Sequence, residues 1–123
     1  TTELTQPAAA AALAGHGAFL QREAVLDVLG LGQFNPRRIR VGTRRRVRRT
    51  LPDWMDLELR KDVPADDLTQ YEGIPATTVK RALGDMRDRM PQERWKALVD
   101  EALRRELIDE REFADLKSKP RAA

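Results

Sequence analysis

In the second half of the chain, apolar residues recur every three or four positions, which is the spacing of one face of an α-helix. The first such series predicts a helix that follows Thr77 or Thr78 as N-cap and ends near Arg87. Its apolar positions are Val79, Ala82, Leu83 and Met86. The next series predicts a helix that begins at Pro91 and ends near Arg105. Its apolar positions are Trp95, Leu98, Val99, Ala102 and Leu103.

A third helix is predicted by its capping residues. Asp109 is a suitable N-cap, and Glu112 three residues later completes a capping box. Ile108 and Phe113 have the spacing of a hydrophobic staple across the same helix start. Residues 117–123 are basic and interrupted by a proline, so we expect a disordered tail there.

The first half of the chain predicts two short helices. Residues 8–14 are alanine-rich, and residues 21–29 form a second helix that stops at Gly30. The apolar face of the second helix consists of Ala24, Val25, Val28 and Leu29. We expect residues 1–7 to be disordered and His16, which lies between two glycines, to be an ordinary loop residue.

Between these groups of helices, the pattern predicts strands. Residues 54–60 alternate apolar and charged side chains, and residues 38–41 form an earlier strand. Residues 68–71 and 74–76 are joined by a Glu-Gly pair that suits a two-residue hairpin turn. We therefore predict an α+β fold, in which a small mixed sheet is preceded by one or two short helices and followed by three helices. A chain of 123 residues has room for one domain, which we place at residues 8–116.

The most concentrated charge lies in residues 37–49. Eight of these thirteen residues are arginine and none is acidic, whereas the net charge of the whole chain is only +3. Because apolar residues interrupt the arginines, we expect a pair of basic strands with a bend at Gly42 and Thr43. The interrupting residues are Ile39, Val41 and Val47. So dense a set of guanidinium groups favours an anionic partner.

An acidic stretch follows the basic one. Between residues 51 and 79, seven acidic residues stand against only Arg60 and Lys61. Opposite charges on neighbouring strands attract by about 0.2–1 kcal/mol per pair, so we expect part of the arginine charge to be neutralised inside the fold. Because a strand presents alternate residues on each face, this pairing is not expected to absorb all the arginines.

The sequence lacks the residue sets that common enzymes need. It has no cysteine and one histidine, which disfavours a zinc site. It has no glycine-rich phosphate loop and no nucleophile-elbow string. Asp62, Asp66 and Asp67 lack the glycine and final glutamate of a calcium loop, so we expect a solvated turn. We predict a binding protein with no catalytic residue, metal, cofactor or small-molecule substrate.

The location of the protein is predicted from its apolar runs. None of them approaches the roughly 20 residues of a membrane span, and the first residues do not follow the basic-then-apolar order of a signal peptide. We therefore expect a cytoplasmic protein without a membrane partner.

Several strings of this sequence resemble the C-terminal domain of AbiEi-type antitoxins. They are QREAVLDVLGL (21–31), RRIRVGTRRRVRR (37–49), PADD (64–67), YEGIPATTVKRALGD (71–85) and EALRRELIDEREF (101–113). The most specific part is residues 73–85, where family members read glycine, an apolar residue, proline, two threonines, proline and an Arg-x-Leu-x-Asp helix. The resemblance covers roughly residues 8–116.

This resemblance implies a bacterial antitoxin of a type IV toxin-antitoxin system. Its partner would be a nucleotidyltransferase-like toxin encoded beside it, and family members also repress their own promoter. Val79 stands where the family usually has proline. The family's N-terminal winged helix-turn-helix has no room before residue 8, which implies either a cut chain or a short member of the family. Related domains also precede short endonuclease domains.

The residues that we expect to bind a partner are arginines: Arg37, Arg38, Arg40, Arg44, Arg45, Arg46, Arg48, Arg49 and Arg81. Arg81 can equally be held by Asp85, which lies four residues later on the same predicted helix. The resemblance makes the toxin protein the first candidate partner. The alternative is a stand-alone nucleic-acid-binding protein or transcriptional regulator that contacts DNA phosphates, because few aromatic residues lie near the arginines to stack on bases.

Overall fold

The structure is a computed structural model, and it describes residues 5–15, 17–32, 38–48 and 50–118. In these ranges the helices are α1 (Thr5–Ala14), α2 (Glu23–Val28), α3 (Val79–Met86), α4 (Gln92–Arg104) and α5 (Glu110–Ser118). The strands are β1 (Phe19–Leu20), β2 (Ile39–Thr43), β3 (Met55–Leu59), β4 (Leu68–Tyr71) and β5 (Ile74–Thr77). A short 3₁₀ helix occupies Ala65–Asp67.

The ends of the domain differ slightly from the expectation. Helix α1 begins at Thr5 rather than at residue 8, and α5 extends to Ser118, into the expected tail. His16 lies outside the described residues. Among the helices of the described ranges, none has the length and apolarity that crossing a bilayer requires.

All five described strands form one mixed sheet in the order β3-β2-β1-β5-β4. The pairs β2–β3 and β1–β5 are parallel, whereas β1–β2 and β4–β5 are antiparallel. The predicted α+β class is therefore confirmed, with three helices after the sheet and α2 inserted between its first two strands. Because β3 and β4 are opposite edges, residues 60–67 must cross the sheet from one edge to the other.

Strand β1 corrects the prediction for the first half of the chain. Phe19 and Leu20 form a central strand, so the second helix begins at Glu23 rather than at residue 21. Both side chains are almost fully buried, on opposite faces of the sheet. A two-residue strand that is buried on both faces shows no alternation, and its apolar pair therefore resembles the start of a helix.

The expected pair of basic strands is also wrong. Only Ile39–Thr43 is a strand, and residues 44–48 are irregular. The sheet order gives the reason. Strand β2 already pairs with β1 on one side and with β3 on the other, so no edge of β2 is left for a second basic strand.

The predicted local signals in the second half are confirmed. The hairpin turn between β4 and β5 places Glu72 at φ 53° and Gly73 at φ 80°, as a type I′ turn requires. Thr78 caps α3, because its side chain accepts a hydrogen bond from the Arg81 backbone nitrogen at 3.2 Å. Asp109 and Glu112 form the reciprocal hydrogen bonds of a capping box, at 2.7 and 3.0 Å.

The main core lies between the sheet and the helices. The predicted apolar positions of α3 and α4 are buried, except Leu103, which is half-buried. The Trp95 indole nitrogen donates to the carbonyl of Leu83 at 2.8 Å, so its polar atom is satisfied inside the core. Helix α1 lies against β1, β2 and β5, and α2 lies against β2 and α3.

Phe19 is buried on the opposite face of the sheet from the main core. It pairs with Gly42, whereas Leu20 pairs with Val41 of the main core. A Cβ atom added to Gly42 would lie 2.5 Å from Cε2 and 2.8 Å from Cζ of Phe19. Glycine at this position therefore makes room for the ring.

We predict that Gly42→Ala lowers the free energy of unfolding by about 1–3 kcal/mol, because the Phe19 ring has to move. The matched control is Gly84→Ala in α3, whose added Cβ would lie 3.9 Å from Cδ2 of Leu116, in ordinary contact. In a helix interior this change is expected to stabilise the protein by about 0.5–1 kcal/mol. Urea unfolding measures both. Equal stability of the two variants would contradict the packing argument.

Candidate binding surface

The irregular stretch of residues 44–48, which we call the arginine segment, is fixed where it leaves β2. The hydroxyl of Thr43 accepts from the Arg45 backbone nitrogen at 3.2 Å and donates to the Arg45 carbonyl at 3.1 Å. The Arg44 guanidinium donates to the carbonyl of Val63, in the connection that crosses the sheet. The first residues of the segment are therefore held by the fold.

The arginine segment begins a return path along the sheet. Strand β3 runs parallel to β2 and starts beside its first residue, where Ile39 donates to the Trp54 carbonyl at 2.8 Å. Residues 44–54 must therefore run back over the length of β2, which is about 17 Å for five residues. Arg38 precedes β2, at the far end of this path.

Four of the described arginines between residues 38 and 48 are exposed, and their side chains make neither an ion pair nor a hydrogen bond within the described ranges: Arg38, Arg45, Arg46 and Arg48. Val47 is half-buried between two of them. Arg37 and Arg49 lie outside the described residues. These four exposed arginines are the candidate binding surface, which we call the cationic strip.

Arg40 does not belong to this strip. It lies opposite Asp56 in the β2–β3 register, and its guanidinium is 2.6 Å from that carboxylate. A second carboxylate, from Glu23 of α2, lies 2.8 Å from its Nε. The prediction that strand neighbours neutralise part of the arginine charge is confirmed for Arg40.

Arg81 is held by three carboxylates. Its guanidinium is 2.8 Å from Asp62, 3.2 Å from Asp85 and 3.4 Å from Asp67. The expected pairing with Asp85 across one helical turn is therefore present. Arg81 lies in an ion-pair network on the crossing connection and α3, and not among the exposed arginines of the strip.

A buried polar cluster that the sequence pattern does not predict lies at the end of β3. At its centre is Arg60, whose side chain is only 5% exposed. Its guanidinium donates to Oε1 of Gln21 at 2.7 Å and to both oxygens of Asp62 at 2.9 and 3.0 Å. Asp85 of α3 lies 3.4 Å away. The cluster joins β3, the crossing connection, the residue after β1 and α3.

Arg22 extends the cluster toward β3. Its guanidinium makes a two-pronged contact with the Glu58 carboxylate, and the Gln21 side-chain amide donates to the same carboxylate at 3.0 Å. The Arg22 backbone has φ 51° and ψ −131°, a conformation that favours glycine. The surrounding contacts therefore hold Arg22 in a backbone conformation that it would not adopt alone.

Ion pairing shifts the pKa values of this cluster. The hydrogen bond from Arg60 lowers the pKa of Asp62 to about 2, and nearby Arg81 adds to the effect. Burial raises the pKa of Glu58, but hydrogen bonds from Arg22 and Gln21 outweigh it, so its pKa is lowered. The bond to Asp62 raises the pKa of Arg60 despite its burial. All three groups are charged at neutral pH.

The described residues contain no group of three or more side chains placed to hold a metal ion. Two of the three aspartates considered as a cation site pair with arginines instead: Asp62 with Arg60 and Arg81, and Asp67 with Arg81. The third, Asp66, is exposed.

Comparison of the chain with protein-family models, curated proteins and solved structures found no match.

We predict that Arg60→Met lowers the free energy of unfolding by about 3 kcal/mol. Removal of one member of a buried ionic cluster leaves the others without partners, which costs about 3–5 kcal/mol. The lower end applies because Asp62 and Asp85 keep Arg81. The control is Arg104→Met at an exposed site, expected within about 0.5 kcal/mol of wild type. Urea denaturation of both variants is the measurement, and equal effects would refute the central role of Arg60.

We also predict that stability falls as pH is lowered from about 4.5 toward 2. A carboxylate with a lowered pKa stabilises the fold above its ordinary value, which is 3.8 for Asp62, and this contribution is lost as pH falls through the folded value of about 2. Glu58, with an ordinary value of 4.5, acts in the same direction. Urea midpoints measured across this range should fall less steeply for Asp62→Asn than for Asp66→Asn. Parallel curves would count against the Asp62 ion pair.

Proposed function

We propose that this protein is a non-enzymatic antitoxin that binds a nucleotidyltransferase-like toxin through its cationic strip. The observation that carries the proposal is the strip itself, because four guanidinium groups remain exposed and unpaired within the described ranges. Arginine is weakly hydrated and binds carboxylates with two hydrogen bonds, so it suits an acidic protein surface. Such an antitoxin acts in the cytoplasm.

The strings that resemble AbiEi-type antitoxins coincide with the supporting framework. Gln21 and Arg22 begin the first string, and Arg81 and Asp85 belong to the string from residue 71 to 85. These residues form the polar cluster and its network. In this proposal, the family-like strings build the support and the exposed arginines contact the partner.

A second candidate function is binding to duplex nucleic acid, as in repression of the protein's own promoter. The specific observation that favours it is the set of exposed guanidinium groups, beside which the described residues present no exposed aromatic ring for stacking on bases. Trp54 packs against the main core, and Phe34 lies outside the described residues. Contacts would therefore be made to phosphates, without base readout.

We predict that Arg45→Ala, Arg46→Ala and Arg48→Ala together weaken toxin binding at least tenfold, because they remove most of the strip. The toxin used is the product of the neighbouring gene, and the readouts are calorimetry and rescue of growth on co-expression. Thermal stability should stay near that of wild type, since these side chains make no ion pair within the described ranges. Retention of duplex DNA, measured in parallel, tests the second candidate: the three substitutions should make the slope of log K against log salt less steep by about 2.7, because each lost phosphate contact accounts for about 0.9.

The control replaces three exposed cations elsewhere, Arg89, Lys96 and Arg104, with alanine. It changes the net charge equally but leaves the strip intact. A wild-type protein that forms no complex with the toxin and gives no rescue of growth would refute the antitoxin proposal. Loss of binding in the control as well would show that net charge, rather than the strip, is responsible.

A further inference from the structure

A groove of about 500 Å³ lies where α4 turns into α5. Its apolar lining consists of Leu103, Leu107 and Ile108, all of which belong to the main core or pack against it. Its charged lining consists of Glu106, Asp109, Glu110 and Glu112, and no basic residue lines it. The groove therefore combines an apolar floor with an acidic rim.

Two of the four rim carboxylates have no hydrogen-bond or ion-pair partner within the described ranges. Asp109 and Glu112 satisfy each other in the capping box. Glu106 and Glu110 are exposed, and their carboxylates make no hydrogen bond or ion pair within the described ranges. Glu106 also lies just beyond the C-terminal end of α4, where a negative charge is locally unfavourable.

The same chain carries a surface of the opposite charge. The arginine segment exposes Arg45, Arg46 and Arg48, and no ion pair links it to the groove within one molecule. An arginine side chain matches such a groove in both of its parts, because its aliphatic stem packs on apolar surface while its guanidinium pairs with carboxylates. The net charge of +3 opposes association of two copies only weakly.

We propose that the groove between α4 and α5 receives the arginine segment of a second copy of this chain. The contact is head to tail, since it joins two different surfaces, so each added copy leaves one segment and one groove free. It predicts salt-sensitive self-association that grows beyond a dimer as concentration rises. If the proposed function also holds, self-association covers the toxin-binding arginines, and the two interactions compete.

Sedimentation velocity of the full chain tests the proposal, at protein concentrations up to about 1 mM and at salt concentrations of about 50 and 500 mM. The segment variant is Arg46→Glu with Arg48→Glu, and the groove variant is Glu106→Lys with Glu110→Lys. Each variant alone should self-associate at least tenfold more weakly than wild type. An equal mixture should associate again, because the intact groove of the segment variant receives the intact segment of the groove variant, and the reversed segment and reversed groove also carry opposite charges.

The chain offers matched controls for both variants. Glu72 has a positive φ of 53°, close to the 61° of Glu106, and Glu93 lies in the first turn of α4 as Glu110 does in α5. Glu72→Lys with Glu93→Lys therefore repeats the charge change and the local backbone effects away from the groove. Arg89→Glu with Lys96→Glu is the control for the segment. Both controls should associate like wild type.

Three outcomes would overturn the proposal: a wild-type protein that stays monomeric at low salt, variants that associate like their controls, or a mixture that forms no complex. None of them depends on the toxin, because the experiment contains only this chain. Failure of self-association is thereby separate from failure of the antitoxin proposal, which is judged by the binding of the toxin alone.

Discussion

The fold depends on one buried guanidinium group. Arg60 follows β3 at one edge of the sheet, and the next residues cross to the opposite edge. Its partners come from three separate places: Gln21 after the central strand, Asp62 in the crossing connection and Asp85 in α3. A buried charge is tolerated only when its hydrogen bonds are made, so the cluster selects one arrangement of these three elements. The crossing connection then supplies the Val63 carbonyl that holds Arg44.

This arrangement divides the arginines into two groups. Those that face carboxylates on neighbouring elements, such as Arg22, Arg40 and Arg81, are fixed inside the framework. Those that follow β2, where the chain leaves the sheet, have no such neighbours in the described ranges and remain exposed. If exposed guanidinium groups are attached to a fixed framework, the entropic cost of binding a partner is smaller, because fewer backbone segments have to become ordered on binding. The framework and the exposed arginines of the candidate surface are therefore joined through the Arg44 contact with Val63, but only the framework arginines are paired with carboxylates.

The features that the sequence predicted are those whose interacting residues lie close together along the chain. The capping box of Asp109 and Glu112 and the pair of Arg81 with Asp85 involve residues three or four apart, and both were predicted. The contacts of Arg60 with Asp85 and of Gln21 with Glu58 span 25 and 37 residues, and neither was predicted. The sequence predicted that arginines form the candidate surface. It did not show that Arg40 is paired with carboxylates, whereas Arg38, Arg45, Arg46 and Arg48 are exposed.

The sequence by itself determined the α+β class, the three C-terminal helices, the hairpin at Glu72 and the concentration of positive charge after residue 37. These features follow from interactions within one helical turn or one hairpin, which a short string of residues specifies. Only the tertiary structure decided that β1 is a central strand, that the basic stretch holds one strand rather than two, and which arginines are free. Those outcomes depend on the order of strands in the sheet, because that order determines which charged residues become neighbours.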